Sequence, residues 1–237
     1  MDFNTVMTKL ALFYVPFLFA LCFHEFAHGW VAKRLGDDTA ENMGRLTLNP
    51  FSHMDLLGTV FFPIMAIVGG SPLFFGWAKP VPVMERNLQN PKKDMFWIAL
   101  AGPASNILLA FLGLFVMFFI NFTPLNLGAN PMLRQGLDLF ILINLFLAVF
   151  NLIPIHPLDG GKIMARFLPY SANRWLEENS GILGMVLFAL IIFDGLGGGT
   201  LRLISAPVYF LKDILVSMVA LLFVGLSPLL EGIFGLL

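Results

Sequence analysis

The chain has 237 residues, of which 58% are hydrophobic and only 12% are charged, and its mean hydropathy is +0.83. So little charge cannot cover the surface of a water-soluble protein, which excludes that class. A formal net charge of −1 offers no basic surface of the kind that binds nucleic acid, so we expect no nucleic-acid partner. Continuous apolar runs, rather than apolar–polar alternation, predict an all-α polytopic membrane protein and exclude an outer-membrane barrel.

The first predicted element is a helix from about Val6 to Leu35. Its apolar run stops at Gly36, Asp37 and Asp38, which break the helix, and Lys33 and Arg34 mark a polar exit from the membrane. A cleavable signal peptide would need a small-residue cleavage site, and none is clear in this run. We therefore expect the helix to be retained.

The next stretch, up to Met84, carries mixed signals. Gly44 to Leu48 and Phe75 to Met84 are typical of short strands, whereas Leu56 to Val68 is apolar and interrupted by Pro63. A helix needs about 20 apolar residues to cross a bilayer, and Leu56 to Val68 is shorter than that. We predict that this run is a re-entrant or interfacial element.

Two long apolar spans follow, at Phe96 to Ile120 and at about Leu137 to Ile155, with a turn-rich stretch at 121–131 between them. Ile182 to Phe193 is only marginally long enough to span a membrane. The stretch from about Ile204 to Leu230 contains a final span. These runs predict at least four membrane-spanning helices.

The distribution of Lys and Arg predicts how these elements are oriented, because short loops rich in basic residues stay in the cytoplasm. If Leu56 to Val68 does not cross the membrane, the loop between the two central spans holds only Arg134, and the opposite side holds ten basic residues: Lys33, Arg34, Arg45, Lys79, Arg86, Lys92, Lys93, Lys162, Arg166 and Arg174. If it does cross, the count falls to seven against four. The stronger bias favours the re-entrant arrangement, with the N-terminus outside.

The sequence His-Glu-Phe-Ala-His, from His24 to His28, lies near the exit of the first helix. Histidines at positions i and i+4 share one helix face, so both imidazoles can bind one zinc ion, and Glu25 is placed to exchange protons with a water molecule there. Two histidines and a glutamate are costly in an apolar run, and a divalent cation would offset that cost. The pattern predicts an intramembrane metal site for hydrolytic chemistry.

Catalytic zinc usually has three protein ligands and an open position, so a third ligand must come from elsewhere in the chain. Asp159 is the best candidate, because Pro154 and Pro157 break the preceding helix and two glycines follow it, which allows close backbone approach. The alternative is a helix-end aspartate that simply faces water. Two histidines and one aspartate with an open position favour one Zn²⁺ per chain over other divalent ions.

Three motifs occur on apolar spans: HEFAH at His24 to His28, AGPASN at Ala101 to Asn106, and NLIPIHPLDGG at Asn151 to Gly161. Together they resemble the signature motifs of the site-2 protease family of intramembrane zinc metalloproteases, peptidase family M50, in its compact form without a PDZ or CBS domain. The resemblance implies one membrane-embedded domain over residues 1–237. Within it, we expect a three-helix catalytic core over about residues 6–168, a short re-entrant β-rich element, and one or two further transmembrane helices over about residues 178–237.

The same resemblance implies His24, His28 and Asp159 as the zinc ligands and Glu25 as the general base. Asn151 matches the asparagine of the third motif and is predicted to donate its amide to the oxyanion of the reaction, with a helix-capping or interhelical hydrogen bond as the alternative. Asn106 is predicted to fix helix packing, and substrate binding is its second interpretation.

These observations predict an intramembrane zinc metalloprotease that hydrolyses peptide bonds in or near transmembrane segments of substrate proteins. Its expected partners are the substrate, the lipid bilayer and a separate regulatory protein. We expect it in the cell (inner) membrane of a prokaryote, with the active site toward the cytoplasm. A membrane metal carrier or channel and a catalytically inactive substrate-binding scaffold are the alternatives. A carrier would favour polar groups along a whole path and would tolerate Gln in place of Glu25, and the intact ligand set argues against a scaffold.

Overall fold

A computed structural model describes residues 2–70, 75–122, 130–193 and 202–234. Its helices in chain order are α1 (Phe3–Arg34), α2 (Thr39–Asn42), α3 (Leu56–Gly69), α4 (Pro91–Phe122), α5 (Pro131–Asn151), α6 (Asp159–Ala165), α7 (Tyr170–Glu178), α8 (Ser180–Phe193) and α9 (Arg202–Phe234). Single 3₁₀ turns lie at Pro50–Ser52 and Glu85–Asn87.

Four of the helices in the described ranges are long and apolar enough to cross a membrane: α1, α4, α5 and α9. They confirm the prediction of an all-α, multi-pass membrane protein. Helix α5 ends at Asn151, a few residues before the predicted end at Ile155, because Pro154 cannot continue it. The predicted turn between the central spans falls mostly on residues 123–129, outside the described residues.

The predicted β-rich element is wrong for the described part of the chain, in which no residue is in a strand. Gly44 to Leu48 forms turns and bends. The second predicted strand, Phe75 to Met84, has no strand partner; we call it the 75–84 segment. Pro80 and Pro82 have no N–H to donate to a sheet ladder, so the alternating apolar pattern of this segment does not form one.

The 75–84 segment is instead hydrogen-bonded to α3 and to the loop before α3. The Trp77 N–H donates to the carbonyl of Gly58 at 3.2 Å, and the Lys79 N–H donates to the carbonyl of His53 at 2.9 Å. Arg45 Nη2 donates to the carbonyl of Lys79 at 2.8 Å. These hydrogen bonds hold the segment against the body of the protein without a sheet.

The apolar run predicted as re-entrant or interfacial forms α3. It is too short for a full crossing. Asp55 caps its first turn by accepting from the N–H groups of Leu57 and Gly58 at 3.0 and 2.7 Å. The helix starts with a π turn, Leu56–Phe61, just before Pro63, and α1 has the same arrangement, with a π turn at Leu10–Tyr14 before Pro16. A wider turn accommodates a proline ring that lacks an N–H.

Helix α4 is central, because it packs against α1, α5, α6 and α9. The largest buried cluster joins α4, α5 and α9, and its members are Ala110, Leu114, Ile141, Leu145, Val208, Leu215, Val219 and Phe223. A second cluster, Phe17, Ala20, Leu21 and Leu147, joins α1 to α5. This packing brings the last turns of α1 and the start of α6 to the same side of α4.

Candidate metal centre and active site

Helix α1 carries His24 and His28 one turn apart on the face that packs against α4. Both side chains are buried, with 4% and 8% of their surfaces exposed. Their Nε2 atoms lie 3.0 Å apart, and the rings meet edge to face. The helical spacing in the sequence therefore produces two imidazoles that point at one spot.

Asp159 comes from the first turn of α6 and completes this cluster. Its Oδ2 atom lies 3.0 Å from Nε2 of His24 and 3.2 Å from Nε2 of His28. The next residue, Gly160, packs against the preceding turn so closely that a Cβ there would lie 2.2 Å from the carbonyl oxygen of Ile153. The glycine that follows Asp159 is thus a condition for α6 to start where it does.

The other ring nitrogens of the two histidines have acceptors. His28 Nδ1 donates to the backbone carbonyl of Ile98 at 2.6 Å, and His24 Nδ1 donates to Oδ1 of Asn106 at 2.7 Å. Each Nδ1 therefore carries the hydrogen, and each Nε2 presents a lone pair. Both hydrogen bonds hold the rings in a metal-binding tautomer.

The orientation of the Asn106 amide follows from a buried relay between α4 and α5. Asn106 Nδ2 donates to the carbonyl of Ala20 at 3.1 Å and to Oδ1 of Asn144 at 2.9 Å, which leaves its oxygen for His24. Asn144 Nδ2 in turn donates to the carbonyl of Phe140 at 2.9 Å. Sequence reasoning missed Asn144, although a polar side chain in an apolar span is the signal that could have found it.

These residues fit a divalent cation. One ligand atom from each of His24, His28 and Asp159 lies within 4.8 Å of the others, and all three residues are buried. Two lone pairs and a carboxylate oxygen at this separation repel one another unless a cation lies between them. Two histidines and one carboxylate are a ligand set of catalytic zinc sites.

The cluster lines a cavity of about 900 Å³. Apart from the ligands, its walls are mainly apolar side chains from α1, the 75–84 segment, α5 and α8. Asn151 lines this cavity too, and its Nδ2 donates to the carbonyl of Leu147 at 3.0 Å, within its own helix. Asn106 is fully buried behind His24 and is not part of the cavity wall.

Glu25 lies in the wall of the same cavity, with 8% of its surface exposed. Its Oε2 atom accepts a hydrogen bond of 2.7 Å from the backbone N–H of Val81 in the 75–84 segment. The carboxylate is therefore held by a neighbouring segment, and it is not one of the three clustered ligand atoms.

Replacing Asn106 by leucine is expected to weaken zinc binding about 10-fold to 100-fold, because His24 would lose the partner that fixes its tautomer and ring angle. Zinc affinity can be measured by competition with a fluorescent chelator. Asn121→Leu is the matched control, since Asn121 lies on the same helix but is exposed, and its hydrogen bond within the described part of the chain is to the Met117 carbonyl of its own helix. Equal zinc affinity of Asn106→Leu and wild type would show that the relay does not orient His24.

A family model described as peptidase family M50 matches residues 12–130 and 129–193, most of the chain. The chain belongs to peptidase family M50. This M50 protein is 35% identical over 185 residues to YwhC of Bacillus subtilis, a match that covers 77% of this chain and 80% of the relative. It is 34% identical over 181 residues to Rip2 of Mycolicibacterium smegmatis, covering 76% of this chain and 66% of the relative. Both relatives are named as candidate zinc metalloproteases.

A more distant M50 relative, zinc metalloprotease MJ0392 of Methanocaldococcus jannaschii, is 26% identical over 207 residues, covering 84% of this chain and 48% of the relative. No solved structure gives a significant match. The comparisons confirm the predicted family, the zinc metalloprotease class and the zinc cofactor. The roles of individual residues stay predictions.

Proposed function

We propose that this M50 protein is an intramembrane protease that hydrolyses peptide bonds in or near transmembrane segments of other proteins. The observation that carries the proposal is the convergence of His24, His28 and Asp159, with Glu25 beside them, on a cavity bounded by the apolar helices α1 and α5. A hydrolytic centre in this cavity can act on a substrate that arrives through the bilayer.

In the proposed mechanism, His24, His28 and Asp159 hold the zinc ion. When bound, zinc supplies a Lewis acid that polarises the scissile carbonyl and lowers the pKa of a water molecule. Glu25 accepts the proton of the attacking water and returns it to the nitrogen of the leaving amine, so protons balance over the reaction. Asn151, at the cavity wall, is proposed to turn its amide from the Leu147 carbonyl to the developing oxyanion.

A transmembrane helix hides its peptide bonds, so the substrate must unwind locally and its freed backbone groups need new partners. The 75–84 segment supplies some of them. The N–H groups of Trp77, Lys79 and Val81 already have acceptors within the protein. Ala78 and Pro80 line the cavity, and of the two only Ala78 has an N–H, for which the described residues provide no acceptor. We propose that an unwound substrate pairs with the backbone at Ala78.

The proposed orientation places the N-terminus outside and the active site toward the cytoplasm of a prokaryotic cell, in its inner membrane. The bias of basic residues supports it, because Lys33 and Arg34 end the helix that carries the two histidines. We further propose that residues 1–237 form one membrane-embedded domain. In it, about residues 6–168 form the catalytic core with a re-entrant α3, and the helices from about residue 178 onward are additions to that core.

A metal carrier or channel is less well supported than a protease. A transport path needs polar groups along its whole length, whereas the described cavity wall beyond the metal cluster is mostly apolar. Glu25, beside the three ligands, can act as a base in hydrolysis, whereas passive transport needs no base.

The proposal is tested with purified protein in liposomes that also contain reporters, each with one transmembrane segment. Zinc-loaded protein is expected to cleave a subset of the reporters, at bonds in or near the apolar segment as located by mass spectrometry. Removal of the metal with 1,10-phenanthroline should abolish cleavage, and added Zn²⁺ should restore it, because the ligand set would otherwise lack its cation. Cleavage that persists without metal, or that occurs only far from the membrane, would contradict the proposal.

A further inference from the structure

Asp37, just beyond the end of α1, is a wholly buried carboxylate with 0% of its surface exposed. Its Oδ2 atom accepts from the N–H of Met84 at 2.7 Å, and its Oδ1 atom accepts from Nδ2 of Asn87 at 2.7 Å. Thr39 adds hydrogen bonds to Oδ1 from its backbone N–H, at 3.1 Å, and from its hydroxyl. A buried carboxylate with donors on both oxygens is fully satisfied, and it joins two distant segments of the chain.

The negative charge of Asp37 contributes to the hydrogen bonds that connect these two segments. Burial by itself would raise the pKa of the Asp37 carboxyl, but the hydrogen bonds from Thr39, Asn87 and Met84 outweigh burial and hold that pKa below its ordinary value. The side chain is therefore ionised at neutral pH, and its hydrogen bonds to Met84 and Asn87 are of the stronger, charge-assisted kind.

Asp37 is fixed to α1 through the backbone. Gly36 has a positive φ of 105°, which turns the chain back over the helix end. The N–H of Gly36 then bonds to the carbonyl of Lys33 at 3.1 Å, and the N–H of Asp37 bonds to the carbonyl of Ala32 at 3.0 Å. This pair of hydrogen bonds is a Schellman motif, so the backbone of Asp37 is fixed to the end of α1.

The segment that Asp37 holds also contacts Glu25, the proposed base. Met84 lies three residues after Val81, whose N–H holds Oε2 of Glu25 at 2.7 Å, and Pro82 stiffens the stretch between them. Residues 81–84 are therefore held at two points, by the carboxylate of Glu25 on α1 and by the carboxylate of Asp37 just beyond the end of α1.

We propose that Asp37 is a positioning residue for proteolysis. By holding Met84, it keeps the Val81 N–H against Glu25 and keeps the 75–84 segment in place as a wall of the cavity. Asp37 does not touch reacting atoms and acts only through this segment. The inference rests on the proposed protease function.

The test compares wild type with Asp37→Asn, which has nearly the same size but leaves at least one of the donors without an acceptor oxygen. Asp38→Asn is the matched control, because Asp38 is the next residue, is exposed and makes no capping hydrogen bond. In zinc-loaded protein, hydrogen exchange measured by mass spectrometry should become about tenfold faster in peptides that cover residues 77–87 for Asp37→Asn, and should be unchanged for Asp38→Asn.

Cleavage of a transmembrane reporter by Asp37→Asn should show a kcat about 10-fold to 100-fold below wild type, since a misplaced base slows the chemical step, while bound zinc stays at the wild-type level. KM should rise by a smaller factor than kcat falls, because the proposed pairing at Ala78 lies farther along the segment from Met84 than Val81 does. If Asp37→Asn does not fold, Asn87→Ala removes one donor to Asp37 and keeps the carboxylate. It should move exchange and kcat in the same direction by a smaller factor.

Wild-type exchange in folded Asp37→Asn would overturn the inference, and so would faster exchange with unchanged kcat, which would make Asp37 structural only. Failure of the proposed function looks different, because zinc-loaded wild type would then cleave no reporter while the exchange difference between the variants could still be measured.

Discussion

Glu25→Gln is expected to abolish cleavage of a transmembrane reporter while the protein keeps its zinc. Glutamine has the size of glutamate, and its carbonyl oxygen can still accept the hydrogen bond from Val81, so the cavity wall should not change. The glutamine side chain cannot accept a proton from water, and the loss of a general base lowers rates by about 10²-fold to 10⁴-fold. Initial cleavage rates in liposomes and zinc content by atomic emission, measured on the same preparations, check the prediction.

Glu41→Gln is the control for Glu25→Gln. Glu41 is an exposed glutamate that pairs with Lys33 at 2.6 Å, away from the cavity, and such a surface ion pair contributes little to stability. The Glu41→Gln variant should therefore cleave at the wild-type rate. Unchanged cleavage by Glu25→Gln would contradict its role as the base, and joint loss of zinc and cleavage would make Glu25 a metal ligand instead.

Gly102→Ala is expected to remove the metal site with a single methyl group. A Cβ at position 102 of α4 would lie 2.5 Å from Nε2 of His28 and 2.6 Å from Cε1 of His24, closer than non-bonded atoms approach. Both rings would have to turn away, so zinc affinity should fall by at least about 100-fold and cleavage should be lost. Zinc retained after dialysis against a weak chelator measures the effect.

Gly136→Ala provides the comparison for this substitution. Position 136 also lies in a membrane-spanning helix, α5, but among the described residues a Cβ there would meet only Cδ2 of Leu12, at 3.4 Å, an ordinary contact. Its zinc content and activity should match wild type. If Gly102→Ala also binds zinc normally, the two histidines do not occupy the positions described here.

Several features of the site were predictable from sequence because they depend on local spacing. The i and i+4 histidines face one way on any helix, and long apolar runs form membrane spans whatever their neighbours. Asp159 was predictable as a ligand candidate, since prolines and glycines around it mark a tight turn. The structure brings these three residues together.

Other features depend on packing and were not predictable. Asn144 acquires its partner only because α4 and α5 meet at Asn106. Asp37 looked like part of a polar helix break, and its burial results from donors that lie far along the chain. The strand predicted over the 75–84 segment was wrong because alternation of side chains says nothing about whether backbone donors exist, and Pro80 and Pro82 removed them.

The two prolines also bear on the resting enzyme, before any substrate is bound. A backbone N–H that faces an apolar cavity without an acceptor costs free energy, and a full strand edge would carry several of them. Pro80 and Pro82 have no N–H, so fewer backbone donors of this segment lack an acceptor. The free-energy cost of leaving the segment without a substrate is therefore smaller. In the proposed mechanism, an unwound substrate would pair with few backbone groups of this segment, so the pairing would be brief and the cleaved products would return readily to the bilayer.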